Sequence, residues 1–371
     1  MLCCRTVATG GVKGPAKQRD QADTLTFFAY TDGPRMTTKS VKRQKVTASD
    51  VAIRAGVSKW TVSRAFTPGA SISEKARETV LSIAEELGYR PNLLARGLSQ
   101  KRTHIIGVAI DELKNPHSLL MLDEVTRQLQ KRGYMALLLN ITGDNYASVM
   151  ALADQLQVDG ILFLATVLTP EFISIATEMH DVPLVQVGRN AEGKKIEAVN
   201  IDDYQAGRVI ARLLTEQGHK RFGYMAGPGN EEAQLQRNKG FCDELHARGF
   251  RLVLEVSAKH YDRQLSYALV KAYLQQTPAA ERIEALFCEN DILALGALES
   301  LRDAEGNPTI AVVGFDDIDE AASAGWQLTT YSQRLDLLME EALNRLISGN
   351  ANPDGNWKQG ELRIRRSHLK R

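Results

Sequence analysis

Ala55-Gly-Val-Ser-Lys-Trp-Thr-Val-Ser-Arg-Ala-Phe66 is the stretch that decides how the rest of the chain is read. Gly56 is expected to end one helix, because glycine takes a left-handed turn without steric cost. Ser58 is expected to cap the next. Upstream, Thr47 can cap the first helix with Asp50 three positions on, close to a capping box, and Val51, Ala52 and Ala55 recur at helical spacing. In the second helix Val57, Val62 and Ala65 should face inward, and Lys59, Trp60, Ser63 and Arg64 outward. Downstream, Ser73 caps a third helix with the apolar stripe Ala76, Val80, Ile83, Ala84 and Leu87, closed by Gly88. A helix that shows Lys and Arg from its first turns, braced by the helix before it, is what enters the major groove of DNA.

Charge points the same way. From Met36 to Arg102 the chain carries 13 Lys and Arg against 5 Asp and Glu, a net of +8, whereas residues 103–371 carry 28 against 37, a net of −9. A formal net charge of +1 therefore hides a basic head and an acidic body. A basic head attracts phosphates and releases their counterions.

The run Val46-Thr-Ala-Ser-Asp-Val-Ala52, then Ala55-Gly-Val-Ser58 and Thr61-Val-Ser-Arg64, continues through Val80 to Tyr89-Arg-Pro-Asn92 and Ala95-Arg-Gly-Leu98. In this combination the sequence resembles the lactose/galactose repressor family of bacterial transcriptional regulators, from about Val46 to Ser367. The resemblance implies that Lys59 and Trp60 read base edges and that Arg64 matches a base-contacting arginine; Arg and Lys favour guanine O6 and N7. Trp60 is unusual at a position more often small or polar, and packing against the first helix is its alternative. Thr61 and Ser63 would bind phosphate, which fixes register without reading sequence. Arg90 to Ser99 matches the family's hinge, with Asn92, Ala95 and Leu98 at its DNA contacts. Pro91 suits a first helical position, and Gly97 weakens any helix here by about 1 kcal/mol relative to alanine. Such a segment is marginal alone; the resemblance implies folding on DNA, with Leu98 wedged into the minor groove. An ordinary linker is the alternative.

The domain organisation that follows has four parts. Residues 1–45 are expected to be a disordered tail, with Met36, just before the family-like start, as a candidate translation start. Residues 46–90 form the helix-turn-helix domain, 91–102 the hinge and 103–371 the effector-binding and dimerisation body. Leu25 to Tyr30 is too short for a signal-peptide core, and no run of eighteen apolar residues exists to span a membrane. A cytoplasmic protein is expected. Of the four cysteines, Cys3 and Cys4 lie in the tail, and Cys242 and Cys288 are isolated, without metal-ligand spacing.

From Thr103 short apolar runs alternate with amphipathic helices. The runs are His104 to Ile110, Met135 to Ile141, Gly160 to Ala165, Val182 to Val187, Arg221 to Ala226, Ala285 to Cys288 and Thr309 to Phe315. Continuous apolar strands between helices mean parallel sheets covered on both faces. The stretch is too long for one compact sheet, so the predicted fold class is α/β: a small all-α helix-turn-helix domain plus two doubly wound parallel-sheet lobes facing a cleft. The resemblance implies the same periplasmic-binding-protein-like body, with crossovers near Ile201 and Thr329.

Ligands of such sheets sit at the carboxyl ends of the strands. Those ends carry Asp111 to Pro116, Gly188-Arg189, Asp202-Asp203, Glu289-Asn-Asp291 and Asp316-Asp317. Carboxylates accept hydrogen bonds from hydroxyls, so a sugar, sugar acid or related hydroxylated metabolite is the expected effector. The resemblance places effector contacts most clearly at Arg237 and Asp291, and less so at Asp202, Asn115 and Arg189; Tyr331-Ser-Gln333 is weaker still. Asp316 and Asp317 match a run that is usually structural in the family.

Catalytic patterns are missing. Gly227-Pro-Gly229 lacks the third glycine of a dinucleotide fingerprint, and there is neither a phosphate loop nor a Gly-x-Ser-x-Gly elbow. No enzyme, no cofactor and no metal are expected. The rival reading, a transport receptor with the same body, would need an export signal and no basic head. The family's dimer interface falls on the helix Asn115 to Arg132 and on the helix after the second strand. Leu119, Leu120, Leu122, Val125 and Leu129 give the first of these more apolar surface than one core face needs. The expected partners are a second copy of the chain, a near-palindromic double-stranded operator and the small effector.

Overall fold

The computed structural model describes residues 46–67, 69–92, 102–141, 146–164, 174–175, 182–188, 196–228, 236–306 and 308–370. The tail 1–45, and with it Cys3, Cys4 and Met36, lies outside them, as do Ala95, Leu98 and Arg189. The chain divides after Arg90 into two compact units.

Among its described residues the first unit holds three helices: α1 (Ala48–Ala55), α2 (Lys59–Ala65) and α3 (Glu74–Leu87). Their ends are fixed as the residues dictate. Thr47 and Asp50 form a reciprocal capping box, and that contact holds the Asp50 carboxyl below its ordinary range. Ser58 accepts from the Thr61 N–H and Ser73 from the Ala76 N–H. Gly56 and Gly88 close α1 and α3 in the left-handed region at φ 65° and 66°. Val51, Ala52, Val62, Ala65, Val80 and Ala84 make the buried core, with Ile83 and Leu87 partly buried against it. The Arg77 guanidinium pins the connection between α2 and α3 by donating to Ala65 O at 2.7 Å and Ala70 O at 2.9 Å.

The second unit runs β1 (Ile105–Ile110), α4 (Pro116–Lys131), β2 (Met135–Asn140), α5 (Tyr146–Gln155), β3 (Gly160–Leu164), β4 (Leu184–Val187), β5 (Glu197–Val199), α6 (Asp203–Glu216), β6 (Phe222–Ala226), α7 (Arg237–Ala247), β7 (Leu252–Ser257), α8 (Arg263–Gln276), β8 (Ala285–Cys288), α9 (Asp291–Asp303), β9 (Ala311–Phe315), β10 (Thr329–Gln333), α10 (Leu335–Ser348) and β11 (Gly360–Arg363). The strands form two sheets, ordered β2-β1-β3-β4-β5 and β11-β10-β9-β8-β6-β7. Counted from its own first strand, each follows the 2-1-3-4-5 order of a doubly wound sheet, so each has its switch point beside its first strand. Every residue of β3, β4, β6, β8 and β9 is buried, as strands covered on both faces require. Among the described residues only β11 runs antiparallel, against β10.

The lobes are linked three times rather than twice. The chain crosses to the second lobe after β5. It returns after Gln333, near the expected Thr329, which itself still lies in the second sheet, and α10 then packs on β3 and β4 of the first. A third crossing leads from α10 to β11. A segment that belongs to one lobe in space and to the other in sequence gives no local signal.

The surplus apolar surface of the first lobe also differs from expectation. In α4, Val125 and Leu129 are core, and of the five leucine and valine positions only Leu119 is exposed. The exposed apolar side chains lie instead on the edge strand β2, at Met135 and Leu138, on α5, at Leu152, and just past the end of α5, at Leu156.

Candidate functional site

Two surfaces carry polar chemistry that the fold itself does not need. The first is the outer face of α2. Lys59, Trp60 and Ser63 are exposed there and Arg64 is half-buried. Trp60 is 66 % exposed, so it does not pack against α1. The Arg64 guanidinium carbon lies 4.3 Å from the Trp60 ring centroid, and its Nε donates to Ser71 O at 2.9 Å. Thr61 is turned toward the cap, with Oγ1 3.0 Å from Ser58 Oγ. Asn92 is at the end of the described segment.

The second surface lies where the carboxyl ends of the two sheets meet. Asn115 caps α4 by accepting from the His117 N–H at 3.1 Å. This presents His117 from the first lobe to the second, with Nε2 3.6 Å from Asp316 Oδ1 and 3.4 Å from Gln333 Nε2. Gln333 also donates to Asp316 Oδ1 at 2.8 Å. Burial pushes the His117 pKa down, against the pull of Asp316, so the neutral ring is favoured. Asp316 and Asp317 both sit at positive φ, 104° and 55°, a costly backbone for aspartate. The turn is held from behind: Asp317 pairs with Arg365 at 2.6 Å and with Arg363 at 3.3 Å.

Arg237 is the centre of the second lobe's contribution. Gly207 on α6 and Gly240 on α7 let the two helix backbones touch: a methyl at Gly207 would overlap Arg237 O, and one at Gly240 would overlap Tyr204 O. That contact brings Asp203, in the first turn of α6, to Arg237, in the first turn of α7. Arg237 donates to Asp203 Oδ1 from Nε at 2.9 Å and to Glu289 O from Nη1 at 2.7 Å. Its guanidinium carbon lies 3.6 Å from the Phe315 ring centroid. Burial alone would lower the Arg237 pKa, but Asp203, Asp316 and Glu289 more than offset it. Burial raises Asp203, with Arg237 opposing. Glu289 accepts from Tyr224 at 3.2 Å and from Tyr261. The Asn290 side-chain nitrogen and His117 Nδ1 are buried without a partner in the same region. The site thus offers carboxylate acceptors, one neutralised guanidinium, an aromatic face and unmet polar atoms. Such an arrangement can hold a small polar molecule by hydrogen bonds.

The sequence-selected residues fare unevenly. Arg237 and Asn115 are buried at this junction. Asp291 is fully buried, and both of its oxygens are engaged, Oδ1 by Thr330 Oγ1 at 2.6 Å and Oδ2 by the Ile318 N–H at 2.9 Å. Burial raises its pKa well above the ordinary value. Asp202 is exposed and caps α6 through the Gln205 N–H at 2.9 Å; its neighbour Asp203 is the residue that meets Arg237. Asp203, His117 and Phe315 were missed. Asp203 was findable: with Ala206, Gly207 and Ile210 it forms the buried stripe of α6, whereas Asp202 precedes the helix. Among the described residues no group of three or more His, Cys, Asp or Glu is placed to hold a metal, and no helix is long and apolar enough to cross a membrane.

Comparison with known proteins agrees with both units. Residues 47–92 match the model of bacterial regulatory proteins of the lacI family, and residues 103–348 that of periplasmic binding proteins and the sugar-binding domain of the LacI family. The HTH-type transcriptional repressor PurR of Klebsiella pneumoniae subsp. pneumoniae is 28 % identical over 311 residues, which cover 81 % of this chain and 89 % of that protein. The PurR of Proteus mirabilis is 27 % identical over 308 residues, covering 81 % and 89 %. Among solved structures, the lac repressor dimer bound to operator and the anti-inducer ONPF superposes with a TM-score of 0.76 at 23 % identity, over 88 % of this chain and all of that one. A complex of the transcriptional regulator CelR with cellobiose gives 0.62 at 26 % identity, over 87 % and all.

Proposed function

The chain belongs to the LacI family of bacterial regulatory proteins and is a DNA-binding transcriptional repressor with a ligand-binding body; from that premise we propose that a small hydroxylated metabolite, a sugar, sugar acid or relative, binds between its lobes and controls its operator affinity. The observation that carries this reading is the interlobe contact of His117 with Asp316 and Gln333. A molecule entering there changes contacts on both lobes at once. A ligand shifts an equilibrium only by its differential affinity for the two states, and a coupling of about 1–3 kcal/mol is typical. The CelR–cellobiose complex, a relative with a sugar bound, supports the ligand class.

The working unit is a homodimer, as in the lac repressor structure. The apolar side chains of β2 and α5 supply its first-lobe contact, and two α2 helices read the two half-sites of a near-palindrome. Lys59, Trp60 and Arg64 face base edges, Thr61 and Ser63 face phosphate, and Asn92, Ala95 and Leu98 form the hinge contact. Lobe rotation moves the two Leu98 hinges together or apart, which makes or breaks the DNA-bound state. Arg237 and Asp291, with Asn115, Arg189 and Asp202 in support, are the proposed effector residues, and Asp203 joins them.

The test is to mix the full-length protein with fragmented genomic DNA, sequence what it retains, and titrate hydroxylated metabolites of the neighbouring operons. Enrichment of an inverted repeat, and a change of its affinity with one such metabolite, is the expected result. Binding without preference over random duplex at moderate salt overturns the regulator reading. A preferred site that responds to no hydroxylated compound overturns only the ligand class.

A further inference from the structure

Arg64 is constrained on two sides. Trp60 and Arg64 stand four residues apart on α2 and so share one face of the helix. The guanidinium carbon sits 4.3 Å from the indole centroid, within the range of a cation–π contact. Its Nε–H is donated to Ser71 O at 2.9 Å. Ser71 lies between α2 and α3, in the connection that Arg77 fastens to Ala65 O and Ala70 O. One face of the guanidinium is therefore covered and one corner tied to backbone. Among the described residues the two terminal nitrogens, Nη1 and Nη2, donate to no protein acceptor.

Resting on the proposed operator binding, we infer that Trp60 is a positioning residue for Arg64: the indole face and the Ser71 carbonyl together hold the guanidinium so that its Nη1/Nη2 edge meets one guanine in each half-site. That edge carries two parallel donors, the arrangement that matches guanine O6 and N7. An unconstrained arginine loses side-chain freedom when it docks; one fixed beforehand loses less, and is less able to swing to another base. The indole is poorly suited to that reading itself. It is a donor only, with a single N–H, and cannot form a bidentate pair with a base edge. Its exposure of 66 % also means that no core is filled by it, so removing it leaves the three-helix unit folded.

The full-length protein is used to select half-sites from a randomised duplex library, alongside Arg64→Ala, Trp60→Ala and Trp60→Phe. Arg64→Ala identifies the base pair that Arg64 reads, as the one whose guanine preference disappears. Trp60→Ala is expected to weaken that same preference by about two- to fivefold, the factor an exposed cation–π contact corresponds to, and to weaken it more than the preference at any other position. Trp60→Phe, which keeps an aromatic face, should restore most of it. If Trp60→Ala leaves the Arg64 base pair as selective as before, or erases preference at a different base pair instead, Trp60 does not act through Arg64. Absence of any preference in the unsubstituted protein is a separate result that removes operator binding itself.

Discussion

Arg237 grips Asp203 twice through a single oxygen, from Nε at 2.9 Å and from Nη2 at 2.8 Å, and both side chains are buried. A buried pair is costly to break from one side, because the surviving charge has no partner. Asp203→Ala should therefore lower unfolding free energy by about 3–5 kcal/mol in urea titrations. Arg237→Ala strands Asp203 in turn and should lose stability too; the folded variant should keep operator binding by band shift and lose the effector response. An unchanged dose response would place the ligand elsewhere.

Asp291 holds the Ile318 N–H and Thr330 from behind the Asp316 turn, and burial raises its pKa. An amide keeps the shape of the carboxyl and an acceptor oxygen for the Ile318 N–H, and its NH2 can donate to the Thr330 hydroxyl oxygen. Asp291→Asn should stay near the unsubstituted protein in stability, whereas Asp291→Ala should lose about 1–3 kcal/mol, the desolvation penalty of the stranded donor. Asp291→Ala should also lose the effector response with operator binding intact. Equal melting temperatures for the two variants would count against the anchoring role.

Three buried histidines set a pH dependence. Burial lowers the pKa of His117, His219 and His368 from 6.5. The unfolded chain then binds more protons than the folded one below pH 6.5, so their stabilisation is complete above it and declines as pH falls. Glu244, held down to about 2 chiefly by Arg212 from an ordinary 4.5, acts in a separate lower window, contributing above 4.5 and lost as pH falls toward 2. Melting temperature should start to fall between pH 7 and 5.5, above the window in which Glu244 acts. His219→Gln should flatten that slope, since its ring otherwise holds only His368 O, at 3.0 Å.

Leu98→Ala should lose most operator affinity while the body still binds its ligand. If Leu98 is the proposed minor-groove wedge, removing it withdraws the contacts that offset the cost of kinking the duplex. Full affinity by band shift would take the wedge out of the mechanism.

Leu138→Glu, on the exposed edge of β2, should shift a dimer to monomers in sedimentation velocity and weaken operator binding, because one half-site alone is then engaged. Leu138 is 46 % exposed, so the charge can stay solvated in the monomer. A dimer that survives Leu138→Glu and Met135→Glu together would move the interface away from this edge.

Local chemistry determined much of this protein. The caps Thr47, Ser58 and Ser73, the closing glycines Gly56 and Gly88 and the inward Val62 and Val80 act within one turn of chain, so a linear reading finds them. The fully buried strands were legible as continuous apolar runs. β7 was not, because at the sheet edge its residues are alternately half-buried and exposed, and Glu255 cuts its opening apolar run to the three residues Leu252–Leu254. Tertiary structure alone decided the rest. Which of two adjacent aspartates meets Arg237 depends on where α6 begins and on how closely Gly207 and Gly240 let it approach α7. That His117 faces Asp316, 199 positions later, depends on the chain crossing between lobes after β5. Contacts set by the packing of distant segments leave no periodicity in the sequence, because neither partner's neighbours record the other.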